Sequence, residues 1–333
     1  MALAAEPGSH HRRLQEWRPG MTPSLAAKIT KAASKQTYYT IRFLVDRSRV
    51  ADAYRAYAYF RWLDDVLDAE SSSPGGPDER AERLAFLERQ EALLDACVRG
   101  DDPRNVDPHE AMLVELVRHS DPADSDLRSY LRHMMRVMAF DARRRGRLIS
   151  RVELDEYTRS LAVAVSDAMH HFIGHGSDDA LGAADRYRAV TGAHIVHMLR
   201  DTEADLRAGY FNVPREVLQA SSIGPHDVHC DAYRAWVRER VRQAGAELAA
   251  GEAYFARLRS RRHRLAGLAY IARFRWLIDR FERDGFQVRP SYADVARLPT
   301  TLRMASIVVS GMVGRPHIPR RPDAWIPGIG GRP

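Results

Sequence analysis

The residues of this chain best equipped for chemistry are two pairs of aspartates. In "YAYFRWLDDVLD" (57–68), Asp64 and Asp68 stand four apart at the end of an apolar, aromatic run, with Asp65 between them. In "HMLRDTEADLRAGYFNVP" (197–214), Asp201 and Asp205 repeat that spacing at the end of a second apolar run. On a helix, residues four apart share one face with Cβ atoms about 6 Å apart, so each pair can share a hard cation. Mg2+ takes oxygen ligands and leaves positions open for phosphate. One such pair is explained equally well by a solvated helix end, since acids at this spacing are common on exposed helices. Two pairs, each closing an apolar face, form a different pattern. An ionised carboxylate is costly to bury unless a cation or metal pairs with it, and helical bundles build metal sites from acids on facing helices.

The elements that must position these acids are helical nearly throughout. Apolar residues recur at three and four positions in 24–45, 49–69, 78–99, 108–119, 124–146, 152–174, 179–207, 228–259 and 262–285. Breakers fall between them: "SSSPGGPD" (71–78), "RGDDPRNVDP" (99–108), "HSDPADSD" (119–126), "HGSDD" (175–179) and "SSIGPHD" (221–227). Alternating strand patterns with hairpin turns are absent from the sequence. This pattern predicts one all-α domain over 22–300, a single-domain helical bundle, with poorly ordered tails at 1–21 and 301–333 that are rich in Gly, Pro and Arg. If two such helices face one another, metals between them would hold a diphosphate and stabilise its departure as Lewis acids. An apolar, aromatic cavity beside them would hold a prenyl chain and shield a carbocation from water.

Composition narrows the classes. The 333 residues are 45% hydrophobic and 29% charged, enough to bury a substantial core. No apolar run reaches bilayer-spanning length. The N-terminal residues hold no continuous apolar segment of the secretory kind. Cys97 and Cys230 form no framework, which fits a reducing, cytoplasmic setting. The net charge is +7, carried by arginine except at Lys28, Lys31 and Lys35. A G+C-rich genome produces that bias without a functional cause; beyond it, a basic surface favours polyanions such as a diphosphate or anionic lipid. No zinc-finger spacing or stacking motif is present, which argues against nucleic acid.

Taken together, the motifs resemble the squalene/phytoene synthase family, head-to-head prenyltransferases of the all-α isoprenoid synthase fold. The resemblance covers most of 30–290. "SKQTYYTIRFLVDRSRVADAYRAYAYFRWLDDVLD" (34–68) resembles the family's opening helices: Thr37 and Tyr38 fall at its Ser-Phe element, Arg61 at the arginine three before the first aspartate, and Asp64 and Asp68 at the first aspartate motif. "MRVMAFDARRRG" (135–146) resembles the helix before the family's tyrosine segment, with Tyr157 in the tyrosine position. "LRDTEADLRAGYFNVP" resembles the second motif, and "FRWLIDRFERDGF" (274–286) the last core helix.

The resemblance implies a central apolar cavity and two or three Mg2+ ions held by Asp64, Asp68, Asp201 and Asp205, with His197 in the position of a further ligand. It implies that Thr37, Tyr38, Arg61, Tyr157, Arg200 and Phe274 bind substrate. The implied reaction condenses two prenyl diphosphates, farnesyl or geranylgeranyl, head to head with release of diphosphate in isoprenoid biosynthesis. A class I terpene cyclase, or a prenyltransferase with another acceptor, is the alternative on the same scaffold; a paralogue that has lost catalysis is the third reading.

The chain departs from the family pattern at several positions. His197 stands where the family has Asn, and His194 where it has Gln. Val163 and Ser166 replace two glycines, Tyr210 and Asn212 replace Arg and Tyr, Phe274 replaces Tyr, and Ser34 stands where some members have His. Imidazole suits Zn2+, Fe or Ni better than Mg2+. Side chains at Val163 and Ser166 are expected to reshape the prenyl pocket.

Other residues support plainer readings. His170 and His171 are adjacent and do not share a helix face, so with Asp167 they read as core and polar-face residues. "HDVHC" (226–230) reads as a helix N-terminus, Arg143, Arg144 and Arg145 as a solvated helix end, and Tyr54, Tyr57, Tyr59 and Phe60 as packing. The stretch "ASIVVSGMVGRPHIPRRP" (305–322) joins a short apolar run to Arg315, Arg320 and Arg321; it reads as a weak peripheral membrane contact or as a tail without a partner.

Overall fold

A computed structural model describes residues 24–69, 77–121, 123–174, 184–290 and Tyr292. The two predicted tails, and the C-terminal stretch with Arg315, Arg320 and Arg321, lie outside the described residues. Among those described, the elements are twelve α-helices and two single 3-10 turns. The helices are α1 (Leu25–Ala33), α2 (Lys35–Leu44), α3 (Val50–Asp68), α4 (Pro77–Arg99), α5 (Glu110–Arg118), α6 (Ser125–Arg144), α7 (Arg151–Ile173), α8 (Arg188–Arg200), α9 (Thr202–Arg207), α10 (Arg215–Ser221), α11 (Asp231–Arg257) and α12 (Arg261–Arg283). The all-α expectation holds, and no described residue is in a strand.

Capping explains most starts. Ser24, Asp124, Ser150 and Ser260 each accept from a backbone N–H in the first turn of the helix that follows. At α7, Glu153 also reaches back to the Ser150 N–H, completing a capping box. The single apolar run at 24–45 divides in two at Ser34. Its extended backbone donates to the Thr30 carbonyl of α1, while its hydroxyl accepts from the Thr37 N–H of α2. The run at 179–207 likewise divides, at Asp201. There the continuous helix expected under the second aspartate pair is replaced by a junction between α8 and α9. At the junction the buried Thr202 hydroxyl bonds the Met198 and Leu199 carbonyls.

The apolar faces fill two adjoining clusters. One is built mainly from α1 to α7 around Tyr59, Leu63, Leu113 and Leu131; the other from α8 to α12 around Val196, Val237, Leu248, Leu277 and Phe281. The helices α7 and α8 stand where the clusters meet. The approach of α8 to α11 is close enough that a Cβ on Gly192 would lie 2.9 Å from the Ala244 carbonyl oxygen, and one on Gly251 2.5 Å from the Ala189 Cβ. Leu63 is fully buried one residue before Asp64, so the hydrophobic packing that fixes α3 also fixes the direction in which its aspartates leave the core. Truncating it to Ala would cost about 2–5 kcal/mol.

Candidate active site

The last turn of α3 and the α8–α9 junction meet at the C-terminal end of α6. From α3 come Asp64, half-buried, and Asp68, exposed; from the junction come Asp201 and Asp205, both half-buried. Tyr210, just past α9, donates from its hydroxyl to Asp68 Oδ1 at 3.1 Å and so joins the two motifs directly. The positive φ of Gly209 (82°) allows the turn that delivers it, and the Gly209 carbonyl accepts from the Gly146 N–H at 2.8 Å beyond α6.

Two residues of α6 complete the cluster. Arg144, its side chain 7% exposed, donates to Asp141 Oδ1 at 2.6 Å and to Asn212 Oδ1 at 2.8 Å. Asn212 in turn donates to Asp205 Oδ2 at 2.6 Å. The guanidinium lies 4.7 Å from the Tyr210 ring centroid and 5.2 Å from that of Tyr157, and Tyr157 donates its hydroxyl to Asp141 Oδ2 at 2.9 Å. Arg144 is therefore no solvated helix end. It is a buried cation that links both aspartate motifs through Asp141, Tyr210 and Asn212, whereas Arg143 is exposed as expected. The neighbouring Arg145 donates to the Ala208 carbonyl at 3.1 Å and braces the same loop.

Sequence reasoning missed Asp141 and Arg144, although a signal existed. Tyr130, Val137 and Arg144 are spaced by seven along α6, and the first two are buried, so periodicity places Arg144 on the apolar stripe. Likewise, Tyr210 and Asn212, two departures from the family pattern, are bonded to the aspartates. Val163 is not. It lies about 120° round α7 from Tyr157, in a separate polar cleft of about 220 Å3 shared with Asp155, Arg159 and Arg240. Ser166 is buried.

The other predicted residues distribute as follows. Arg61 pairs with Asp64 at 3.3 Å and with Asp65; Arg200 holds Asp201 through two hydrogen bonds of 2.7 and 2.6 Å. Arg273 on α12 stands near Arg200 and Asp201, its pKa lowered by burial and by Arg200. The wall behind these charges is aromatic. Tyr157 stacks on Phe140 at 4.7 Å and meets His194 edge-on at 4.9 Å, while His197 meets Phe274 edge-on at 5.6 Å and Tyr270 lies against Phe274. Asp141 keeps 24% of its side chain accessible. Thr37 and Tyr38 sit farther out on α2: Thr37 bonds the Ser34 hydroxyl at 2.9 Å, and Tyr38 stacks on Tyr54 at 5.3 Å. The plainer readings of His170, His171 and the 226–230 segment agree with the structure. His170 meets the Tyr254 hydroxyl at 2.7 Å, His171 meets Asp124 at 2.8 Å, and Cys230 caps α11.

Electrostatics mark the cluster as short of positive charge. Burial and Asp68 push the Asp64 carboxyl up to about 6. Burial, with Asp201 against the opposing Asn212 bond, brings Asp205 up to about 6 as well. Asp141 is raised by burial in spite of Arg144. Burial also lowers His194 to about 3, and burial with Arg200 lowers His197 to about 4, so both imidazoles are neutral at physiological pH. Among the described residues no three His, Cys, Asp or Glu side chains converge on one point as a closed metal cage. The donors are instead carboxylate pairs with open sides, a set that fits Mg2+, which keeps waters and phosphate oxygens in its shell.

Comparison with known proteins agrees with this geometry. The profile described as squalene/phytoene synthase matches residues 30–303. No curated protein matches the chain. Among solved structures, the squalene synthase HpnC from Alicyclobacillus acidocaldarius is 18% identical, over 79% of this chain and 94% of that one, with a TM-score of 0.61. A dehydrosqualene synthase in complex with ligand is 16% identical over 85% and 93%, with a TM-score of 0.65. The ligand complex of TcSQS is 16% identical over 86% and 85%, with a TM-score of 0.61. At these identities the structures bear on the fold, which is the all-α isoprenoid synthase fold. With the profile match spanning most of its length, the chain belongs to the squalene/phytoene synthase family.

Proposed function

We propose that the protein is a Mg2+-dependent prenyltransferase that condenses two prenyl diphosphates head to head and releases diphosphate. The observation that carries this reading is the gathering of both aspartate pairs around Asp141 and Arg144, with Asp64 and Asp205 raised to about 6. Carboxylates crowded in this way lack a cation. Asp64, Asp68, Asp201 and Asp205 would hold Mg2+, with the neutral His197 beside them. When bound, the ions supply countercharge and Lewis acidity to the departing diphosphate.

The remaining steps fall to the chain's own side chains. Arg61 and Arg200 would exchange part of their pairing with aspartates for the diphosphate oxygens, which suit the planar guanidinium fork. Tyr38, on the α2 side, would border the incoming chain. As the C–O bond breaks, its electron pair leaves with the diphosphate and an allylic cation remains. The rings of Tyr157 and Phe274 would form part of the wall that excludes water until the double bond of the second chain traps the cation. The new cation on that chain loses a proton to the released diphosphate, and the second chain keeps its own diphosphate. The Asp141–Tyr157 hydrogen bond fixes the tyrosine ring at that wall. Both aspartate pairs are kept, which argues against a paralogue without catalysis.

The test is incubation with farnesyl or geranylgeranyl diphosphate plus Mg2+, followed by mass spectrometry of the hexane extract. A product of doubled carbon number is expected. A cyclised product of unchanged carbon number would assign the chain to the terpene cyclases. Absence of product together with no calorimetric binding of Mg2+ and diphosphate would identify a non-catalytic paralogue.

A further inference from the structure

From Ser24 to Val45 the chain contains no aspartate or glutamate, while Lys28, Lys31, Lys35 and Arg42 all fall there. These are the only lysines in a chain whose other cations are arginine. The same two helices carry three of the exposed large apolar side chains among the described residues: Leu25, Tyr39 and Phe43 are 46%, 49% and 67% exposed. Tyr39 and Phe43 stack with centroids 6.1 Å apart and planes within 9°, so they form one flat apolar plate. Lys35, Tyr39, Arg42 and Phe43 are spaced by three and four, which sets them on one outward face of α2, while Ile41 is buried against the core.

The face adjoins the site. Gln36 on α2 accepts from Arg273 at 3.3 Å, and Arg273 neighbours Arg200 and Asp201. We infer that the outer face of α1 and α2 docks the protein peripherally on an anionic lipid bilayer, with the tyrosine and phenylalanine at the headgroup level and the lysines among the lipid phosphates. Aromatic rings favour that depth, and lysine stems lie along apolar surface while their ammonium groups reach the polar layer.

Charge selects this occupant over the alternatives. A second copy of the chain would bring four cations against four with no acid between them. The terminal segments 1–23 and 293–333 carry more arginine than acid and would meet like charge. An anionic bilayer offers both an apolar layer for Phe43 and Leu25 and phosphates for the lysines. The inference rests on the proposed function only for its benefit, because prenyl diphosphates partition into bilayers; the binding itself needs no substrate.

The experiment is sedimentation of the full chain with vesicles of equal parts phosphatidylglycerol and phosphatidylcholine at low salt, alongside vesicles of phosphatidylcholine alone. Binding is expected to the anionic vesicles and to fall as salt rises. The double substitution Tyr39→Ser with Phe43→Ser, and separately Lys28→Ser with Lys31→Ser and Lys35→Ser, should each weaken it at least about tenfold. All five side chains are exposed or lie at a surface turn, and thermal melting verifies that each variant is folded. Arg315→Ser with Arg320→Ser and Arg321→Ser should leave binding unchanged. Wild-type binding to both vesicle types alike, no binding at all, or equal binding by the Tyr39/Phe43 variant would overturn the inference. So would loss of binding in the tail variant alone, a dimer abolished by the Tyr39/Phe43 substitutions, or capture by a single-stranded oligonucleotide without vesicle binding. Substrate turnover is measured separately, so a failed docking result leaves the proposed reaction standing, and a failed reaction leaves docking standing.

Discussion

The two aspartate pairs share a spacing but reach the site by different routes. Asp64 and Asp68 ride the last turn of an uninterrupted 19-residue helix, and the cation that meets Asp64 is Arg61 from the same helix, 43% exposed. Asp201 is the residue that joins α8 to α9, and Asp205 lies in the first turn of α9. Their partners are the adjacent Arg200, Asn212 from the following loop and, through Asn212, Arg144 from α6. Both pairs keep helical spacing, the second through the 2.8 Å bond from the Asp205 N–H to the Asp201 carbonyl; they differ in that only the second is tied through Asn212 to the buried Arg144 of α6. Substitution at either pair should therefore cost function, while only the second pair should show a marked change in stability.

The largest effects follow from the acids themselves. Asp64→Ala or Asp68→Ala should lower diphosphate release by about a thousandfold, equivalent to about 4 kcal/mol of barrier, with helical content by circular dichroism unchanged. Asp65→Ala should matter far less, because Asp65 points about 100° away on the helix and is exposed. Near-normal turnover in both of the first two variants would sink the metal assignment.

The cations sharpen the contrast. Arg144→Met removes one partner of a buried pair and leaves Asp141 uncompensated, which should cost about 3–5 kcal/mol of stability. Arg61→Met removes an exposed pair and should cost about 0–1 kcal/mol. Urea unfolding of the two variants measures the difference. Equal midpoints would mean that the second motif does not depend on α6 for its placement.

The legibility of the sequence follows the same division. Each predicted apolar run contains helix among the described residues, two of them divided, because burying an apolar face leaves a three-and-four spacing, and Asp64 and Asp68 inherit their geometry from it. The two breaks, at Ser34 and Asp201, lie inside continuous apolar runs and leave no gap in hydrophobicity. Arg144 was misread for a related reason. In "DARRR" three arginines look alike as text, and only packing separates the buried one from the exposed Arg143. The roles of Tyr210 and Asn212 join residues far apart in sequence, a relation that no local pattern encodes.

Acid titration bears on both motifs, since burial raises Asp64 and Asp205 alike to about 6. Asp205 is raised from 3.8 to about 6, chiefly by burial. Between those values the folded chain holds more protons than the unfolded one, so this group makes stability fall as pH rises through the window. Asp205→Asn should therefore be more stable than the wild type above pH 6, by about 1–2 kcal/mol once screening is allowed for. The advantage should vanish below pH 4, where the wild-type carboxyl is protonated. Melting temperatures across that range, without Mg2+, test it. An Asp205→Asn variant less stable than wild type at pH 7 would show that its bond from Asn212 outweighs the cost of burying the charge.

The smallest expected effect belongs to His197. Its imidazole is lowered from 6.5 to about 4 by burial and by Arg200, so at neutral pH the site holds an uncharged ring. His197→Asn exchanges one neutral polar group for another and introduces the residue usual in the family at this position, so Mg2+-dependent turnover should be retained or raised. The linkage runs opposite to that of Asp205. The unfolded chain binds the extra proton between about 6.5 and 4, so this histidine makes the wild type lose stability as pH falls through that interval. The asparagine variant should lose less, which would appear as a flatter melting profile on the acid side. A large drop in turnover with unchanged Mg2+ affinity would move His197 from the metal to the diphosphate or to proton transfer.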